Sequence, residues 1–205
     1  MISNNKIKLL EIWNKNHFMK LSMIEIMKLS NKRTKTWVFN ALKLLVKKKI
    51  IISEKKANLN LYQLNTRNPL SFQLLHYIEV QKNIDFPKKE VIAEIIEKIP
   101  IKNYSLLVFG SYAENKQNPK SDIDLCFLIE DKEQKKRIMP YINEIKLNHA
   151  ITIDEQYILF DELVEMLLRN EENLGKQIVR KHKIFYNADI YYQLLKEAHK
   201  HGFRQ

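Results

Sequence analysis

The apolar run from Tyr104 to Phe109 stops at Gly110-Ser111, and this junction constrains the fold more than any other point of the chain. The run has the length of a single strand. Glycine is scarce, with only Gly110, Gly175 and Gly202 in 205 residues, so one placed at a strand end implies a backbone that needs its freedom there. Ten residues follow Ser111, with turn chemistry at Asn115 and Asn118-Pro119, and then Ser121 to Ile129 reads as a second strand. Strand alternation would send Asp122 and Asp124 to one face and Ile123 and Leu125 to the other. Ahead of the junction, Pro87 opens a helix whose stripe is Val91, Ile92, Ile95, Ile96 and Ile99, and Pro100 ends it.

Two carboxylates one residue apart on one strand face repel each other, and an otherwise apolar strand gives no structural reason for the pair. A divalent cation does, because hard oxygen donors suit Mg²⁺ and the metal cancels the repulsion. The backbone N–H groups at Gly110-Ser111 and the Ser111 hydroxyl suit a phosphate tail. Together they read as a site for a metal-bound nucleoside triphosphate.

The order apolar strand, Gly-Ser, ten residues, Asp-apolar-Asp-apolar resembles the nucleotidyltransferase fold of DNA polymerase β, kanamycin nucleotidyltransferase and the minimal nucleotidyltransferases. It is most similar to the minimal, prokaryotic type, over about residues 100 to 190. The resemblance implies two Mg²⁺ ions held by Asp122 and Asp124, and a triphosphate, ATP first among them, seated at Gly110 and Ser111. It also implies a third carboxylate on a later strand. The stretch Ala150 to Ile158 fits that strand, with Thr152, Asp154 and Gln156 on one face. Asp154 is the candidate for third ligand or proton acceptor, and Glu155, on the opposite face, is its rival. One departure stands out: many members of the family carry a basic residue shortly after Gly-Ser, whereas here Tyr112-Ala113-Glu114 follow. Lys116 and Lys120 are the candidates to supply that charge from the loop.

The net charge of +11 is unevenly placed. Residues 1–68 hold 15 Lys and Arg against three acids (Glu11, Glu25, Glu54), whereas residues 69–205 are close to neutral. Such segregation points to one module for a polyanion and another with different chemistry. Helical spacing runs through Ile7, Leu10, Glu11 and Asn14. A second short helix fits Met23 to Leu29 behind Ser22 as N-cap, and a longer one runs from about Lys32 to Lys48 with Val38, Ala41, Leu42 and Leu45 inward. Ile50 to Ile52 and Leu59 to Leu64 read as strands, with Glu54 to Asn58 as the turn between them. This order resembles the winged helix-turn-helix over about residues 6 to 65. The resemblance implies DNA binding through Arg33, Thr36, Asn40, Lys43 and Lys47 on the outer face of the long helix, and through Lys55 and Lys56 at the wing tip. A winged helix used for protein contact is the other reading.

Asn65 to Pro69 is the expected boundary, giving a winged-helix domain over 1–68 and a nucleotidyltransferase domain over 69–205, an α+β chain overall. A connecting helix is expected from Leu70 to about Lys82. The last stretch, Leu163 to Gln205, reads as helices flanking Lys183 to Tyr186. Cys126 is the sole cysteine, which excludes an internal disulfide and a cysteine-based zinc site. The start of the chain does not read as a signal peptide, no apolar run is long enough to span a bilayer, and a cytoplasmic protein is expected. Three functions fit: a Mg²⁺-dependent transferase moving a nucleoside monophosphate to a protein, RNA or small-molecule acceptor; a DNA-binding regulator whose transferase domain senses nucleotide or is inactive; and an antitoxin that modifies or masks a protein toxin partner. A homodimer is compatible with each.

Overall fold

The computed structural model describes residues 2–14, 16–32, 34–149 and 151–204. It divides into two compact units, one running to Ile78 and the other from Glu79 to Phe203. The division falls inside a helix rather than at the polar stretch Asn65 to Pro69.

In the first unit, α1 (Asn4–Ile7) passes directly into a 3₁₀ segment, Lys8–Trp13, so the expected single helix is split. A two-residue strand β1 (Leu21–Ser22) leads into α2 (Met23–Leu29). There the Ser22 hydroxyl accepts from the Glu25 amide while the Glu25 carboxylate accepts from the Ser22 amide, a reciprocal cap on two otherwise orphaned donors. Helix α3 (Lys35–Lys47) starts later than the expected Lys32, after Thr34 in extended backbone, and it buries Val38, Ala41, Leu42 and Leu45. Strands β2 (Ile51–Lys56) and β3 (Leu59–Leu64) form a hairpin that turns at Ala57, whose φ is +50°. The expected turn from Glu54 was too wide: cross-strand pairing persists through Lys55↔Asn60 and Lys56↔Leu59. With β1 the sheet order is β1-β3-β2, all antiparallel. Leu10, Trp13, Ile26, Leu42, Leu45 and Ile50 are among the fully buried side chains of this unit.

Helix α4 (Pro69–Asn83) carries the chain across to the second unit, where α5 (Lys89–Lys98) begins after Pro87 rather than on it. A four-stranded sheet then forms from β4 (Tyr104–Val108), β5 (Ile123–Ile129), β6 (Ile153–Leu159) and β7 (Lys183–Tyr186) in the order β6-β5-β4-β7. The β4–β5 and β4–β7 pairs are antiparallel and β5–β6 is parallel, so the sheet is mixed. The parallel pair needs a crossover, and α7 (Lys132–His149) provides it. Helices α5 and α7 cover one face, where Ile123, Leu125, Phe127 and Ile129 of β5 join Val91, Ile92, Ile95, Ile138 and Ile142 in one core. Helices α8 (Phe160–Leu168) and α10 (Ala188–Lys200) cover the other, and α9 (Leu174–Arg180), N-capped by Asn173, joins α8 to β7. Cys126 is buried on that second face, which pushes its thiol well above the usual range. Among the described residues no helix is long and apolar enough to cross a membrane.

One buried acid of this unit makes stability depend on pH. Oε2 of Glu79 is shielded from solvent, and burial pushes its carboxyl up to about 7 from 4.5, against the pull of Lys82, the Tyr192 hydroxyl and Lys183. A raised carboxyl pKa means the folded chain holds the proton longer, so stability is full below about 4.5, falls as pH rises to about 7, and is level above. The expected loss across that window is about 3 kcal/mol. Glu79→Gln is expected to remove it, raising the thermal midpoint at pH 8 but not at pH 4.5; equal midpoint changes at both pH values would contradict this.

Candidate active site

The ends of four strands meet at one edge of the second sheet. Strand β4 finishes at Val108, and β5 starts at Ile123 beside it, with the Phe109 amide donating to the Asp124 carbonyl at 3.0 Å. Strand β6 starts at Ile153, in register with Ile123, and β7 starts at Lys183, in register with Val108.

Between β4 and β5 the chain makes a short helix, α6 (Gly110–Ala113), entered through Gly110 at φ +63°. That angle favours glycine, and a second reason is steric. A Cβ on Gly110 would lie 2.0 Å from Oδ2 of Asp124 and 2.7 Å from its Cγ. The carboxyl group of Asp124 thus occupies the space that any side chain at 110 would need. The next amide, that of Ser111, lies near the same carboxylate and pulls its pKa down.

Asp124 sits within β5, half-buried, and pairs across the parallel ladder with Asp154 of β6. Asp122 lies one residue ahead of the strand and is exposed. The strand begins where the pairing does: the Ile123 amide donates to the Thr152 carbonyl at 3.0 Å, and nothing extends the ladder to Asp122. The carboxylates still feel one another. Burial, then the charge of Asp154, pushes the Asp124 carboxyl above the usual carboxylate range; the Ser111 amide pulls it down and Asp122 adds a further push upward.

Asp154 is exposed and accepts from Nε2 of Gln156 at 3.2 Å. Its rival Glu155 points elsewhere, paired with Lys146 of α7 at 2.5 Å. Among the described residues no lysine or arginine pairs with Asp122, Asp124 or Asp154. Nor is any group of three or more of the described His, Cys, Asp and Glu side chains placed to hold a metal ion by itself. Mg²⁺ keeps several waters and takes one or two carboxylates plus substrate phosphates rather than an all-protein shell. The three carboxylates offer oxygen donors alone, and no cation among the described residues offsets their repulsion.

Lys116, expected to supply positive charge from the loop, is engaged by Glu114 at 2.6 Å, and so is Lys181, also at 2.6 Å. The two ammonium groups hold the Glu114 carboxyl at about 2. Lys120 is exposed. The Glu114–Lys181 pairing joins residues 67 positions apart and leaves no local signal in the sequence. In the other unit, Thr36, Asn40, Lys43 and Lys47 of α3 are exposed opposite its buried face, and Lys55 and Lys56 are exposed on β2. Arg33 lies outside the described residues.

No curated protein matches the chain. A solved structure described as "Crystal structure of the toxin-antitoxin with AMP-PNP" is similar at 16% identity and a TM-score of 0.39, covering 55% of this chain and 85% of that one. The family model described as "Nucleotidyltransferase domain" matches residues 88–186, just under half of the chain, a span that holds Gly110, Ser111, Asp122, Asp124 and Asp154.

Proposed function

We propose that the protein is a Mg²⁺-dependent nucleotidyltransferase that moves a nucleoside monophosphate from a triphosphate, ATP first among the candidates, to a hydroxyl-bearing acceptor. The observation that carries this reading is the interlock of Gly110 with Asp124, beside two further carboxylates that no cation among the described residues pairs with. Gly110 lets the backbone pass over the carboxylate, the Ser111 amide lies near it, and Asp122 and Asp154 complete an oxygen set open to solvent. Mg²⁺ bound there would supply Lewis acidity at the phosphates and offset the charge of the aspartates. The Ser111 hydroxyl is assigned to the triphosphate. Asp154 takes the proton of the acceptor hydroxyl as its oxygen bonds to the α-phosphorus, while the bond to the pyrophosphate leaving group breaks.

The acceptor class is tested by incubating protein, Mg²⁺ and each triphosphate in turn with cell lysate. Mass spectrometry is expected to find one nucleotide mass added to a protein, an RNA or a metabolite. Absence of any adduct with all four triphosphates would count against transfer and favour a nucleotide sensor.

The first unit is proposed to bind duplex DNA as a winged helix. Its support is the antiparallel three-stranded sheet beside α2 and α3, the positive excess confined to residues 1–68, and the exposure of Thr36, Asn40, Lys43 and Lys47. Asn40→Ala is expected to cost about 1–3 kcal/mol at a preferred site. Lys43→Ala and Lys47→Ala should weaken all sequences alike and each reduce the salt slope by about one. Titrations at several salt concentrations would show it; affinity that is insensitive to salt would contradict it.

A further inference from the structure

The loop after Gly110-Ser111 carries its own anion between two lysines. Glu114 follows α6 directly, its amide donating to the Gly110 carbonyl at 3.2 Å, and the Lys116 amide donates to the Ser111 carbonyl at 2.9 Å. Both residues are thereby tied to the backbone of the junction itself. Lys181 arrives from the far end of the sequence, two residues ahead of Lys183, which is in register with Val108 at the end of β4. The three side chains therefore converge beside Gly110 and Ser111. Glu114 is the more enclosed partner, its side chain 24% exposed against 72% for Lys116 and 60% for Lys181. A carboxylate held at 2.6 Å by two ammonium groups occupies a place suited to an anion.

We infer that Lys116 and Lys181 form an oxyanion site for the triphosphate tail and that Glu114 fills this site in the free protein as an internal competitor. The inference rests on the transferase reading and deepens it, assigning two phosphate contacts and a residue that sets nucleotide affinity. A triphosphate brings more negative charge and more acceptor oxygens than one carboxylate, so it displaces Glu114 from both lysines. The displaced carboxylate then stands beside an anion, which costs part of the binding energy. Affinity is held below what the two lysines alone would give, and the selection favours a ligand with enough charge to win the exchange over monophosphates or lone carboxylates.

The test is calorimetric binding of inorganic tripolyphosphate and of ATP, with Mg²⁺, to the full chain and to Glu114→Gln, Lys116→Ala and Lys181→Ala. Glutamine keeps the shape and removes the charge, and all three positions are open enough to be changed without unfolding the chain. Glu114→Gln is expected to bind tripolyphosphate about fivefold more tightly. Each lysine variant is expected to bind it several-fold more weakly, and combining either with Glu114→Gln should abolish the gain. In transfer assays Glu114→Gln should lower the KM for the nucleotide and leave kcat near its original value. Unchanged or weaker binding by Glu114→Gln, in a chain that otherwise transfers nucleotide, would overturn the competitor while leaving the transferase reading intact. Absence of ATP and tripolyphosphate binding in every form, the unaltered chain included, would overturn both.

Discussion

Asp124→Asn is expected to leave the fold standing and to lower nucleotide transfer by on the order of a thousandfold. Asparagine keeps an oxygen that can accept the Ser111 amide, and it fits the space beneath Gly110, so the local backbone has no reason to move. What it lacks is charge. A divalent cation at this edge supplies several kcal/mol of transition-state stabilisation, and a neutral amide in place of the most enclosed carboxylate removes the anchor for it. The thermal midpoint without metal should be equal or slightly higher, because the repulsion of Asp124 by Asp154 and Asp122 is relieved. Asp122→Asn should follow the same pattern. Circular dichroism and a Mg²⁺-titrated transfer assay on the same samples would separate fold from chemistry; transfer at the original rate in both variants would show that the carboxylates are misassigned.

Gly110→Ala is expected to damage both stability and activity. The backbone at φ +63° is strained for an L side chain, which by itself costs about 1–2 kcal/mol. The new methyl would also sit 2.0 Å from Oδ2 of Asp124, a distance that no non-bonded pair tolerates. Either the α6 entry shifts or the carboxylate is expelled. A displacement on the order of an ångström can cost about a hundredfold in rate, so transfer should collapse even in molecules that remain folded. The steric part has its own signature. Asp124→Ala removes the atoms that the methyl would strike, so the double variant Gly110→Ala/Asp124→Ala should be less destabilised than the sum of its parts. Strict additivity in urea unfolding would mean that φ strain alone accounts for the glycine.

How far these features could be read from the chain follows from their range. The β4–Gly110 junction announced itself because its signals are local: an apolar run of strand length, then one of the few glycines. The same holds for the Ser22–Glu25 cap, whose partners lie three residues apart. Strand ends were less legible. Alternation carried β5 back to Ser121, whereas pairing with β6 begins at Ile123↔Ile153, and a pairing partner thirty residues away leaves no trace in a period-two pattern. Strand β1, at two residues, is too short to show any period. Helix α7 leaves a mixed signal: Ile138, Ile142 and Ile145 step along one face, but Pro140 lies within it. Glu114 looked like a departure from the family pattern, and only folding brings Lys181 to it.

The most direct test of the central claim is to follow the two ends of one nucleotide. Lysate is incubated with the protein, Mg²⁺ and ATP labelled at either the α- or the γ-phosphate, and macromolecular and small-molecule products are separated. The expected result is α-label on an acceptor and γ-label released in pyrophosphate, with both signals lost in Asp124→Asn. Transfer of the γ-label to the acceptor, or α-label incorporation that persists in Asp124→Asn, would contradict the assignment of this strand edge as a nucleotidyl-transfer site.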